Sequence, residues 1–203
     1  MRRVAAFDFD GTLSSRDNVI PFLRRVSGNV AVGRALAIAV PFLAVGRRNR
    51  AKRILLARTL RGVPAEDVNR IGEGFAADVV RSHLRDDVVA RAAWHRAQGH
   101  ELVIVSASLL PYLDPIGRRL RLDAVLGTAI EVDAHGRCTG RLAGMNVRGK
   151  EKVRRLDAWL GSEPAIVWAY GNSPGDRALL ARADHGVRVT RKRLRGGAGP
   201  PVR

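Results

Sequence analysis

Apolar and polar positions along the chain fall into two rhythms. The first is a set of short apolar runs: Arg3–Phe9 (R-V-A-A-F-D-F), Glu101–Ser106 (E-L-V-I-V-S) and Ala165–Tyr170 (A-I-V-W-A-Y). Runs this short, without alternation, suit strands buried on both faces of a parallel sheet. Ala124–Ile130 and His185–Val189 predict two further strands, and Glu131–Leu142 predicts a ribbon turning at Ala134-His135-Gly136. The second rhythm is helical. Apolar residues recur at helical spacing from about Asn18 to Leu84, with breaks expected at Gly28, Gly33, Gly46 and Gly62-Val63-Pro64. Further helices are predicted over Asp86–Gln98, Asp114–Leu120, Gly149–Leu160 and Pro174–Ala183.

Strands alternating with helices from Asp86 onward imply an α/β fold with a Rossmann-like parallel sheet and right-handed crossovers. The all-helical block over 15–85 interrupts that alternation directly after the first strand and predicts an inserted cap. The expected organisation is a core of residues 1–14 and 86–190, a cap of 15–85, and a basic, Gly/Pro-rich tail of 191–203 expected to be mobile. Within the cap, Ala35–Val45 runs for eleven residues without a charge. Spanning a bilayer takes about 20 apolar residues, and Pro41 is expected to break the run. Buried cap core is the expected role. Because arginines flank the run, lying on anionic lipid stays open as the alternative.

Composition narrows the classes. A chain of 203 residues suits one substantial domain with a small insert. The single cysteine, Cys138, excludes an internal disulfide and a cysteine-rich zinc site, and predicts a packing residue in a strand. The histidines have no metal-binding spacing. No signal-peptide pattern opens the sequence, which predicts a cytoplasmic protein. The net charge of +17 is regional: Asn18–Ala65 holds ten Lys or Arg and no acid. An arginine-rich genome or a solvated helix face would account for many arginines, but not for acids missing from one segment alone. A cap facing an anion would account for both. With aromatics at 5% of the chain, no specific nucleic-acid recognition is expected.

The strongest chemical signal is Asp8-Phe9-Asp10-Gly11-Thr12-Leu13 at the end of the first strand. Carboxylates two apart on a strand share a face. Like charges that close call for a cation or a shared proton, and a hard divalent ion with oxygen ligands suits them. A calcium loop would need Gly at the sixth position, where Leu13 stands. A plain Asp-Gly turn is the structural alternative. Against it, the second core strand leads into Ser106-Ala107-Ser108, whose hydroxyls and N–H groups at a strand end can cradle phosphate. Lys150 and Lys152 open a helix, and being two apart only one can reach the site. The third core strand runs into Gly171-Asn172-Ser173-Pro174-Gly175-Asp176, a turn bearing oxygen ligands.

In this order the four segments resemble the haloacid dehalogenase superfamily. D-x-D-G-T-L is matched by Asp8 to Leu13 and the strand-end serine by Ser106. The lysine before a leucine is matched by Lys152, with Leu156 following, and the acidic loop imperfectly by Gly171 to Asp176. The helical insert is similar to the cap of the phosphoserine-phosphatase-like subfamily IB. The resemblance implies Asp8 as nucleophile forming an aspartyl phosphate, and Asp10 as acid and base. Ser106 and Lys152 would hold phosphoryl oxygens, with Gly11, Thr12, Ala107 and Ser108 around the substrate. Mg²⁺ would be bound by Asp8, Asp10, Asn172 and Asp176. Asn172 departs from the family's aspartate and predicts weaker metal binding. A basic cap argues against an ammonium-bearing phosphoamino acid and for a small, multiply anionic or lipid-linked phosphate monoester, with peripheral contact to anionic membrane. The alternative is a weak or inactive relative that binds anionic lipid or nucleic acid through the cap and tail.

Overall fold

The computed structural model describes residues 1–190 and Leu194; the predicted tail otherwise lies outside the described residues. Five strands form one parallel sheet. β1 (Arg2–Phe7) is central, between β2 (Glu101–Leu109) and β6 (Ala165–Gly171), with β3 (Ala124–Thr128) and β7 (His185–Arg188) at the edges. Val4 to Phe7 are wholly buried, which explains the unalternated run. Ala5 and Phe7 join one apolar cluster with residues of α4 (Asp86–Ala97) and α5 (Leu110–Arg119). Val4 and Ala6 join another, with α6 (Lys150–Leu160) and α7 (Arg177–Arg182). The strand order β3-β2-β1-β6-β7 reverses direction between β1 and β6. At such a switch point the loops leaving the carboxyl ends diverge and open a crevice.

Two of the boundaries that differ from expectation bear on the site. β2 continues past Ser106 to Leu109, with its register against β3 shifting between Val105 and Leu109. Helix α5 begins at Leu110 rather than Asp114, because Pro111 sits in its first turn, where a missing N–H costs nothing. Behind β1 and β6, His95 is buried, with Nδ1 2.8 Å from His100 Nδ1 and Nε2 2.8 Å from the Tyr170 hydroxyl. Burial pushes the His95 imidazole down to about 3, so it stays neutral at ordinary pH.

Between β1 and α4 come α1 (Val19–Ala44), α2 (Arg48–Thr59) and α3 (Ala65–Ser82). The ribbon is β4 (Ile130–Val132) paired antiparallel with β5 (Cys138–Leu142). It is hydrogen-bonded to the turn between α2 and α3, through Gly62 N–H to Cys138 C=O at 2.8 Å and Cys138 N–H to Val63 C=O at 2.9 Å. The helical insert and the ribbon are therefore joined into one unit, although far apart in sequence. Cys138 is buried in β5, as expected.

Three cap expectations are corrected. Gly28 does interrupt α1, with φ +80° and ψ 165°, but Gly33 does not, and Pro41 lies inside the helix. The carbonyl that Pro41 leaves unpaired is that of Ala37, on the exposed side, where its cost is lowest. Nor is Ala35–Val45 buried core. Ala35 and Ala39 are covered, but Ile38 is 42% exposed, Val40 53%, Leu43 42% and Val45 67%. The physical reason is that α1 packs chiefly against α2, so only one stripe of its surface finds a partner.

Candidate active site

The site forms at the switch point. Asp8 extends β1 by one rung, its N–H bonding to Tyr170 C=O at 2.8 Å, and then the chain turns sharply: Thr12 and Ser14 N–H both return to Phe9 C=O. Gly11 makes this turn with φ +75°, and a Cβ there would lie 2.0 Å from Asn172 Nδ2. Glycine is thus required twice, for the left-handed backbone and for the approach of the loop after β6.

Asp8 is buried. One carboxylate oxygen accepts from Lys152 Nζ at 2.6 Å and the other from Thr12 Oγ1 at 3.3 Å. Lys152 donates equally closely, at 2.6 Å, to Asp176. Lys150, by contrast, is exposed. Burial raises Asp8 above the usual carboxylate range, with Lys152 opposing. Burial works against the Lys152 charge, but the two carboxylates outweigh it and hold the ammonium above its ordinary range. Asp176 is likewise penalised by burial, yet Lys152 and Ser173 hold it below its usual value.

Asp10 faces the cap. One oxygen accepts from Asn18 N–H (3.0 Å) and Nδ2 (2.7 Å), the other from Ser108 Oγ (2.7 Å). Burial first, then the charge of Asp17, pushes this carboxyl up to about 7. Such a group can both give and take a proton near neutrality. Ser106 lies 3.2 Å from Ser108, hydroxyl to hydroxyl, on the shifted segment of β2.

Asp8, Asp10, Gly11, Ser106, Ala107, Lys152, Asn172 and Asp176 all line one open cavity of about 1030 Å³. Thr12 and Ser108 stand behind it, bonded to Asp8 and Asp10 respectively. Arg16, Arg48, Arg148 and Arg188 also border the cavity.

Asn172 offers a test of the expected cation. Its side-chain oxygen is buried with no hydrogen-bond partner, and a hard cation would satisfy it. Asp8, Asp10 and Asn172 therefore fit a divalent ion. Asp176, the fourth expected ligand, is engaged at both oxygens by the protein, as Asp8 and Asp10 are. One of its oxygens is held by Lys152, and the other accepts from Ser173 N–H (2.8 Å), Ser173 Oγ (2.7 Å) and Asn172 N–H (3.2 Å). Asp176 anchors Lys152 and caps the loop. Among the described residues, no group of three or more His, Cys, Asp or Glu side chains gathers to hold a metal. A cation would thus depend on amide and backbone oxygens as well as carboxylate.

The sequence concealed two contributors. Lys52, from α2, is 9% exposed and donates to Ala107 C=O and, at 2.8 Å, to Asn146 Oδ1. Burial pushes it down to about 8, with Asp10 and Asp17 opposing. Asn146 also accepts from Thr128 and donates to Asn49 at 2.8 Å, so this cluster latches α2 onto the core. Asn18, the second, orients Asp10. The one available hint was that Lys52 is a single lysine in a segment otherwise cationic through arginine alone.

A doubly wound α/β core, an insert directly after the first strand and an Asp–Lys–Asp cluster at the switch point define the class of this protein. The chain belongs to the haloacid dehalogenase-like hydrolase family, which matches residues 5–181. It is 34% identical over 192 residues to Protein CicA of Caulobacter vibrioides, covering 93% of this chain and 86% of that protein. A solved protein of unknown function from Bordetella pertussis Tohama I superposes with a TM-score of 0.75 at 26% identity, covering 89% and 86% of the two chains. A phospho-aspartyl intermediate analogue of phosphoserine phosphatase shares the fold, with a TM-score of 0.62 at 19% identity and coverage of 90% and 83%. The expected fold and the membership in this family are thereby established.

Proposed function

We propose that the protein is a Mg²⁺-dependent phosphomonoester hydrolase that works through an aspartyl phosphate on Asp8. The observation that carries this reading is Asp8 itself: a buried carboxylate lining the cavity, fixed by Lys152 at 2.6 Å. A phosphoserine phosphatase among the fold neighbours, seen as a phospho-aspartyl analogue, supports it.

In the first step an Asp8 oxygen bonds to phosphorus while the ester P–O bond breaks, and Asp10 gives its proton to the departing oxygen. In the second, Asp10 takes a proton from water. The water oxygen bonds to phosphorus, and the Asp8–phosphorus bond breaks to release phosphate. Lys152 and the Ser106 hydroxyl hold phosphoryl oxygens through both steps, with Asp176 keeping Lys152 in place. Asp8, Asp10 and Asn172 would hold the cation, which when bound offsets the repulsion between an anionic nucleophile and an anionic phosphate.

The arginines at the cavity favour a substrate with negative charge beyond the reacting phosphate, such as a diphosphorylated compound or a lipid-linked phosphate. A second reading, a phosphate-binding protein without turnover, is favoured by the uncharged Asn172. The deciding experiment is phosphate release from lipid, sugar and amino-acid phosphates, with Mg²⁺, with EDTA, and with Asp8→Asn. Turnover that needs both Mg²⁺ and Asp8 supports hydrolysis; binding of phosphate esters without turnover supports the second reading.

A further inference from the structure

We propose that the hairpin of α1 and α2 docks the protein onto an anionic lipid bilayer, with its exposed apolar tip entering the headgroup boundary. The tip carries Ile38, Val40 and Leu43 on the last turns of α1, 42%, 53% and 42% exposed, and Val45 just beyond it, 67% exposed. Large apolar side chains exposed together mark an interaction surface rather than a normal solvated one. Charge names the occupant. The apolar tip is followed immediately by Arg47, Arg48, Arg50 and Arg53, all exposed, in a segment that has no acid from Asn18 to Ala65. An apolar tip bordered by arginines matches acyl chains bordered by anionic headgroups. A protein partner would more commonly bring acids to some of these arginines and leave the tip to its own apolar residues. Here both features lie on one tip.

By length and composition α1 is long and apolar enough to cross a membrane. Gly28 nonetheless breaks it, and the uncharged stretch after Arg34 is only twelve residues, Ala35–Gly46. That is about 18 Å of helix, against about 30 Å of hydrocarbon. The face of α1 that carries Ala35 and Ala39 is buried, and α2 is its main partner.

The docking tip adjoins the catalytic cavity, because Arg48 opens α2 and lines that cavity together with Arg148. A phosphate ester held in the bilayer could then reach Asp8 without leaving the lipid. This consequence rests on the phosphatase reading, but docking itself does not.

The test is co-flotation of the full chain with phosphatidylcholine vesicles, with and without a third phosphatidylglycerol. Three variants are compared: Ile38→Ser/Val40→Ser/Leu43→Ser, Arg47→Gln/Arg53→Gln, and Asp8→Asn. The wild type should float with anionic vesicles and much less with neutral ones. The serine variant should lose at least about tenfold in partitioning, since three apolar side chains no longer leave water on docking. Arg47→Gln/Arg53→Gln should weaken binding and reduce its salt sensitivity. Asp8→Asn should float like the wild type, which separates docking from catalysis. Unaltered circular dichroism, and unaltered turnover of a soluble phosphate where there is any, excludes misfolding. The proposal is overturned if the wild type stays in solution, if the serine variant floats equally, or if the wild type is a dimer that this variant dissociates.

Discussion

Lys152→Met probes the site at its most constrained point. The lysine is 2% exposed, and its two partners, Asp8 and Asp176, have side chains 8% and 1% exposed. Methionine fills nearly the same volume, so the change removes charge more than packing. Removing one partner of a buried ion pair costs about 3–5 kcal/mol, because the survivor is left buried without compensation; here two carboxylates lose the same cation. The loss should also depend on pH. Without Lys152, burial and the neighbouring Asp176 charge act on Asp8 with the Phe9 N–H opposing, and its folded pKa then stands further above its unfolded value. A raised carboxyl contributes stability that is present at low pH and lost as pH rises through the folded value. The deficit of Lys152→Met should therefore be larger at pH 8 than at pH 5.5. Urea unfolding followed by circular dichroism at both values measures it. Asp8→Asn in the same background should recover part of the loss, through a coupling of at least about 1 kcal/mol. A loss below about 1 kcal/mol, equal at both pH values, would refute the buried Asp–Lys–Asp cluster.

Gly11→Ala should cost about 1–3 kcal/mol and disable phosphate turnover, because the new methyl meets Asn172 Nδ2 at 2.0 Å and the backbone sits at φ +75°; thermal unfolding and a phosphate-release assay report the two effects separately. Asn172→Asp should tighten Mg²⁺ binding by roughly tenfold or more, since it adds a charge to an oxygen donor, as read by the Mg²⁺ concentration for half-maximal activity; an unmoved requirement would mean that Asn172 is not a ligand. His95 makes folding sensitive to acid. Its folded value of about 3 lies below the ordinary 6.5, so the unfolded chain protonates first. Stability is therefore full above about 6.5 and falls below it by up to about 1.4 kcal/mol per pH unit from this group. His95→Gln should flatten that part of the profile in urea titrations.

How legible the protein was in its sequence depended on whether the controlling interaction is local. The apolar runs at β1, β2 and β6 dictate buried strands wherever they fall, and D-x-D-G-T-L carries its chemistry within six residues. Lys152 could be preferred to Lys150 through its resemblance to a known pattern, and burial separates the two. The role of Lys52 could not be found this way. Its partners, Ala107 and Asn146, lie 55 and 94 residues away in the chain. Asp176 shows the other limit. That its carboxylate also holds Lys152 and the turn at Ser173 becomes visible only once the direction of its oxygens is known. Ala35–Val45 misled because apolar composition reports a preference for leaving water, not whether the fold supplies a cover. At this stretch α2 covers one side only.

The central claim is that Asp8 takes the phosphoryl group. It is tested most directly by mixing the protein with a radiolabelled phosphate ester and Mg²⁺, quenching in acid within one turnover, and mapping the label. The account predicts acid-stable, hydroxylamine-labile label on the peptide containing Asp8, with none on Asp8→Asn. Label elsewhere, or turnover undiminished in Asp8→Asn, would contradict it.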